Sequence, residues 1–156
     1  MPPSASLPRF FRLHLWIAAR RLPIGAKRRT IEQLMQGALP PPGYVPYKGL
    51  TVDQVLGAVR AVTSRPWRMR ARRCLREGLL GFRFLRLAGF SPVLCFGLNP
   101  ASLHKERLDA HCWLTLDGEC ILNPPEDSMV PLFSWDGENI CRETYAKNIC
   151  NESKDA

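Results

Sequence analysis

No C-x-x-C pair occurs among the six cysteines of this 156-residue sequence, which argues against a structural zinc site. No metal and no cofactor is expected. No segment approaches the length of a transmembrane helix. The longest apolar run near the N-terminus, Leu13 to Ala19, contains His14 and is bracketed by Arg9, Arg12, Arg20 and Arg21. It lacks the make-up of a signal peptide. The expected setting is therefore cytoplasmic, with reduced thiols. Cys95, Cys112, Cys120, Cys141 and Cys150 read as small apolar fillers or tail residues. Acidic residues are scarce early in the chain. Residues 1–107 hold 19 Lys/Arg against 4 Asp/Glu, a net of +15, and residues 108–156 hold 3 against 10, a net of −7. Such asymmetry points to an anionic partner for the N-terminal half, or to charge matching between halves. No recognised nucleic-acid module is present, so no nucleic-acid partner is expected. Peripheral contact with an anionic membrane stays open.

What is present fits one globular unit. With 46% apolar residues, a chain of this length can bury a substantial core. Residues 1–156 are read as a single domain with four parts. These are a helical N-terminal portion (9–38), a proline-rich connection (39–50), a catalytic core (51–134) and an acidic tail (135–156). In the first helix, Phe10, Leu13 and Ile17 fall at helical spacing, Trp16 widens the apolar side and Pro23 is expected to end it. A second helix is expected from about Ala26 to Ala38, with Ile31, Leu34, Met35 and Ala38 on one face. Thr51 and Gln54 form a capping box for a third, whose stripe is Val52, Val55, Leu56, Val59 and Val62. A basic segment, Trp67 to Arg73, leads into a helix from about Cys74 to Ala88 that is apolar on most sides and closed by Gly89. Gly78 and Gly81 cost helix stability, which predicts close approach of a sheet beneath the cysteine. Val93 to Leu98 reads as a strand, Asn99 to Arg107 as a loop and the residues around Asp117-Gly118 as a hairpin. Met129 to Phe133 reads as a further strand, pushed to an edge by Pro131. A short helix is expected near Ile140 to Ile149.

The chemistry lies between Cys74 and Asn123. A thiol at a helix N-terminus ionises more readily, and the thiolate is the nucleophile. Arg72 and Arg73, just before it, would favour that form. His111 can take the thiol proton and later protonate a leaving amine. Asn123, on the next strand, can fix the imidazole tautomer. The set is the Cys-His-Asn arrangement of papain-like catalysis. Trp113 shares the His111 face and either covers the imidazole or lines the substrate cleft. His14 and His104 read as incidental.

Hairpin register tests the set. A two-residue turn at Asp117-Gly118 would pair Cys112 with Asn123 and point His111 and Asn123 to opposite faces. A three-residue loop, Leu116 to Gly118, would pair His111 with Asn123. It would leave Cys112, Leu114, Cys120 and Leu122 on the other face. The second register segregates the faces and is preferred, with Asp117 a turn residue only.

Cys74-Leu75 at a helix start, Gly89, Val93-Leu94 with Gly97, and Ala110-His111-Cys112-Trp113 stand in an order that resembles the transglutaminase-like leader peptidases of lasso-peptide biosynthesis. The resemblance covers roughly residues 50–125. Two positions depart from the family: Asn123 stands where an aspartate is usual, and Cys112 where a small residue is usual. The resemblance implies an α+β fold with a transglutaminase- or papain-like core, a central cysteine-bearing helix packed on a small antiparallel sheet. It implies a cysteine peptidase that removes the leader from a ribosomally made precursor. It also implies as partners the precursor leader peptide, a separate small leader-recognition protein and an ATP-dependent cyclase. Other acyl transfer at the same site, or a non-enzymatic basic binding module, are the alternatives.

Overall fold

In the computed structural model, residues 7–26, 29–64, 73–106 and 108–142 are described. The basic segment before Cys74 lies largely outside them. Four helices precede a five-stranded sheet: α1 (Arg9–Ala26), α2 (Ile31–Ala38), α3 (Val52–Thr63), α4 (Arg73–Leu87), then β1 (Val93–Leu98), β2 (Ala110–Leu116), β3 (Glu119–Leu122), β4 (Val130–Trp135) and β5 (Ile140–Arg142). The fold is α+β, and the sheet is antiparallel throughout, in the order β3-β2-β1-β4-β5.

α4 is the axis of the molecule. Leu75, Leu79, Leu80, Phe82, Phe84, Leu85 and Leu87 are all buried. One side packs on the sheet, and α1, α2 and α3 pack around the rest. A helix covered on most sides must be apolar on most sides, as this one is. Gly78 and Gly81 face the sheet. A Cβ at Gly78 would come within 2.7 Å of Cys112 Sγ, and one at Gly81 within 2.7 Å of Leu114 Cδ1. Both neighbours are buried and cannot swing into solvent. Overpacking of this kind costs about 1–3 kcal/mol, against about 1 kcal/mol gained in helix propensity. Gly78→Ala and Gly81→Ala should therefore each lower stability by about 1–2 kcal/mol in denaturant unfolding. Unchanged or higher stability would mean that α4 can back away from the sheet. α4 ends as its sequence predicts. Gly89 takes φ 95°, its N–H donates to Arg86 O at 3.0 Å, and Phe90 N–H donates to Leu85 O at 3.0 Å, the paired bonds of a Schellman cap.

Both capping boxes are closed, Thr51 with Gln54 on α3 and Thr30 with Gln33 on α2. The second was not anticipated, and it sets the start of α2 at Ile31 rather than near Ala26. Ile31 is exposed, while Leu34, Met35 and Ala38 are buried.

Three expectations fail. α1 does not stop at Pro23 but runs to Ala26, with Leu22 packed against the core just before the proline. Its buried face is Phe11, Leu15 and Ala19, not Phe10, Leu13 and Ile17. Pro131 does not lie on an edge strand, because β4 pairs with both β1 and β5. The chain accommodates it locally: β5 pairs only with Phe133 to Trp135, and the β1–β4 register shifts beside Pro131. Residues Ile140–Arg142 are strand, so no helix starts at Ile140, and the rest of the stretch expected as helix, 143–149, lies outside the described residues; the strand is folded back by a turn. In that turn the Asp136 carboxylate accepts the Glu138 and Asn139 N–H groups at 2.8 and 2.7 Å.

Candidate active site

Cys74 is the second residue of α4, within the turn whose N–H groups have no helical partner. His111 is the second residue of β2 and pairs with Gly97 of β1. The two elements meet because α4 lies on the sheet at glycine distance. The thiol and the imidazole lie near enough for each to shift the other's protonation.

Their protonation equilibria respond to each other. Burial pushes the Cys74 thiol up, but the hydrogen bond and charge of His111 and the N–H groups of Cys112 and Leu75 outweigh it. The thiol ionises below its ordinary value. His111 moves the other way. The Cys74 hydrogen bond raises it most, burial opposes, and the Asn123 carbonyl and the charges of Cys74 and Asp109 add to the rise. Both shifts favour thiolate and imidazolium. Arg73, expected to favour the thiolate, instead turns to Glu77, its Nε donating to Oε1 at 2.9 Å.

Asn123 is at the site but not as expected. His111 Nε2 lies 3.0 Å from the main-chain oxygen of Asn123, and the side-chain amide donates to Cys74 O at 3.4 Å. A ring nitrogen facing a carbonyl must carry the proton, which leaves Nδ1 for the thiol. The tautomer is thus held by the backbone. Asn123 has φ 53°, a left-handed conformation that asparagine tolerates better than alanine and glycine better still. Asn123→Gly should keep the carbonyl in place and hold kcat within about threefold of wild type. Asn123→Ala strains that conformation, at about 1 kcal/mol, and should slow turnover more. A glycine variant slower than the alanine variant would return the orienting role to the side chain.

The hairpin brings Asn123 there by neither register anticipated. Asp117 and Gly118 take φ 51° and 89°, a two-residue turn pairing Leu116 with Glu119. Thr115 then pairs with Cys120, but Leu114 pairs with Leu122, so Ile121 is an extra residue. This bulge restores the side-chain parity that the two-residue turn alone would lose. Arg60 donates to Ile121 O at 3.4 Å. Cys112, Leu114 and Leu122 face the core as expected, while Cys120, ahead of the bulge, is exposed.

Trp113 is 1% exposed and stacks on His111, with ring centroids 6.2 Å apart. It backs the imidazole rather than lining an open cleft. Cys112 is buried under Gly78, and burial raises its thiol well above the ordinary value. It is a packing residue. His14 hydrogen-bonds Tyr47 Oη at 2.8 Å, away from the site. The β1–β2 loop is braced below His111. Asn99 N–H donates to Asp109 O at 2.9 Å, and Ser102 Oγ accepts the Asp109 N–H at 2.9 Å.

One residue escaped the sequence reading. Glu77 is 4% exposed and accepts the Thr63 hydroxyl at 2.7 Å as well as Arg73. It ties the end of α3 to the turn that carries Cys74. A lone carboxylate in an apolar helix, four residues after an arginine, was the available signal. Glu77→Ala should cost about 1–3 kcal/mol in unfolding experiments, and Glu77→Gln less, since an amide oxygen still accepts from Thr63. Equal losses would show that the contact is incidental.

Among the described residues no cluster of His, Cys, Asp or Glu could hold a metal ion, and no helix is long and apolar enough to cross a membrane. A family model for the transglutaminase-like superfamily matches residues 11–134. The chain belongs to that superfamily. No curated protein and no solved structure matches it. Transglutaminase-like domains typically carry cysteine-protease or acyl-transfer chemistry, and Cys74 beside His111 supplies the groups that such chemistry needs.

Proposed function

We propose that the chain is a cysteine peptidase that removes the leader from a ribosomally made lasso-peptide precursor. The observation that carries the catalytic part is the pairing of Cys74 at the start of α4 with His111 on β2, with thiol and imidazole shifted toward thiolate and imidazolium. The precursor as substrate rests on the resemblance in Cys74-Leu75, Gly89 and Ala110-His111-Cys112-Trp113. The Cys74 thiolate attacks the scissile carbonyl carbon, and the resulting oxyanion is met by the Cys74 N–H at the helix start. His111 gives its proton to the leaving amine as the C–N bond breaks, leaving a thioester. His111 then takes a proton from water, the hydroxide adds to the thioester, and the thiolate departs to leave a free carboxylate. The main-chain carbonyl of Asn123 keeps the imidazole oriented in both halves.

The substrate is delivered by a separate small leader-recognition protein, and the released core goes to an ATP-dependent cyclase in the same cytoplasm. The test is mass spectrometry of a precursor incubated with the chain, with and without that recognition protein. The expected result is cleavage after the leader, a free carboxylate, and a rate that depends on the recognition protein. A new amide in place of the carboxylate would assign the site to acyl transfer. Rapid leader-specific cleavage by the chain alone would remove the delivery step.

A further inference from the structure

α1 carries apolar residues on two sides, and only one is used inside the fold. Phe11, Leu15 and Ala19 face the core. Phe10, Leu13, Trp16 and Ile17 face outward, 82%, 55%, 42% and 36% exposed. Large apolar side chains gathered this way on one helix face mark an interaction surface. Arg9, Arg12, Arg20 and Arg21 are exposed on the same helix, and the Arg20 guanidinium lies 4.0 Å from the Trp16 ring centroid. No acidic residue precedes Glu32 in the sequence. The outward face is a ridge of rings and aliphatic chains edged by guanidinium groups, and α1 itself carries no carboxylate to repel an anion.

We propose that this face of α1 docks the protein on a bilayer bearing anionic phospholipid. The helix would lie in the plane of the interface. Phe10, Leu13 and Ile17 would enter the acyl boundary, Trp16 would sit at headgroup level, and the arginines would reach the phosphates. Charge complementarity selects this occupant. The ridge offers cations and apolar groups without an acidic counterpart, which matches a lipid surface, and the net charge of +15 over residues 1–107 attracts the same surface at longer range. The inward face keeps α1 on the protein, so contact is peripheral. The inference is independent of the peptidase reading.

The test is co-sedimentation of the full chain with vesicles of phosphatidylcholine alone and of phosphatidylcholine with phosphatidylglycerol. Binding is expected only to the second, and it should weaken steeply with salt. Each of Arg9→Gln, Arg12→Gln, Arg20→Gln and Arg21→Gln should weaken partition about fivefold. The triple variant Phe10→Ser/Leu13→Ser/Ile17→Ser should lose binding by about two orders of magnitude, with an unchanged thermal melt because those side chains are already exposed. A blue shift of emission on binding should vanish in Trp16→Phe. Equal binding to neutral vesicles, no binding to anionic ones, or full binding by the triple variant would overturn the proposal. So would saturable capture of a soluble acidic protein through this face by a chain that ignores vesicles.

Discussion

Cys74→Ala is expected to abolish precursor cleavage, with a fall in kcat on the order of 10⁶. The alanine variant loses the one described thiol placed beside His111 to form the thioester. Cys112 cannot substitute, being buried with its thiol held well toward the neutral form. The fold should survive, because Cys74 is only half buried and sits at the helix start rather than beneath the sheet. A melt within a few degrees of wild type, together with lost turnover, is the predicted pair of results. Substantial turnover by a folded Cys74→Ala protein would sink the mechanism.

His111→Ala should be nearly as severe, on the order of 10⁴-fold or more, because one ring serves as base and then as acid. It should also change the thiol itself, and that can be measured without a substrate. In the wild type the thiol is lowered and the imidazole raised, so the two titrations are drawn toward each other and the ion-pair form gains population. Activity should fall at low pH, where the pair holds both protons and no thiolate forms. It should fall again at high pH, where the pair holds neither and the acid is lost. Alkylation of Cys74 by iodoacetamide reads the thiolate directly. Its pH midpoint should move upward in His111→Ala, since burial would then act against the N–H groups of Cys112 and Leu75 alone. An unmoved midpoint would show that the helix start, not the imidazole, activates the thiol.

Much of this site follows from features that act over one or two turns of chain. The capping box at Thr51 and Gln54, the glycine cap at Gly89, the cysteine at the head of an apolar helix and the hairpin around Asp117-Gly118 are local in origin. Each is set by hydrogen bonds or φ values within a few residues, so a sequence can declare them. The clash that glycine avoids at positions 78 and 81 was also legible, because glycine in a helix interior needs a packing reason. The match to the transglutaminase-like superfamily spans residues 11–134, which include all of these pieces.

Other features wait on the tertiary structure. α1 is apolar around most of its circumference, so periodicity alone cannot say which stripe meets the core. The packing of Phe11 against Tyr47 and Phe84, at ring-centroid distances of 5.0 and 5.4 Å, decides it. The bulge at Ile121 depends on how β3 must run past α4, which no hairpin rule contains. With that bulge, the main-chain oxygen of Asn123, rather than its amide, reaches His111. Residue identity marks which side chains a site can use, but a backbone carbonyl is common to every residue. Only the folded path of the chain can bring a particular one to the imidazole.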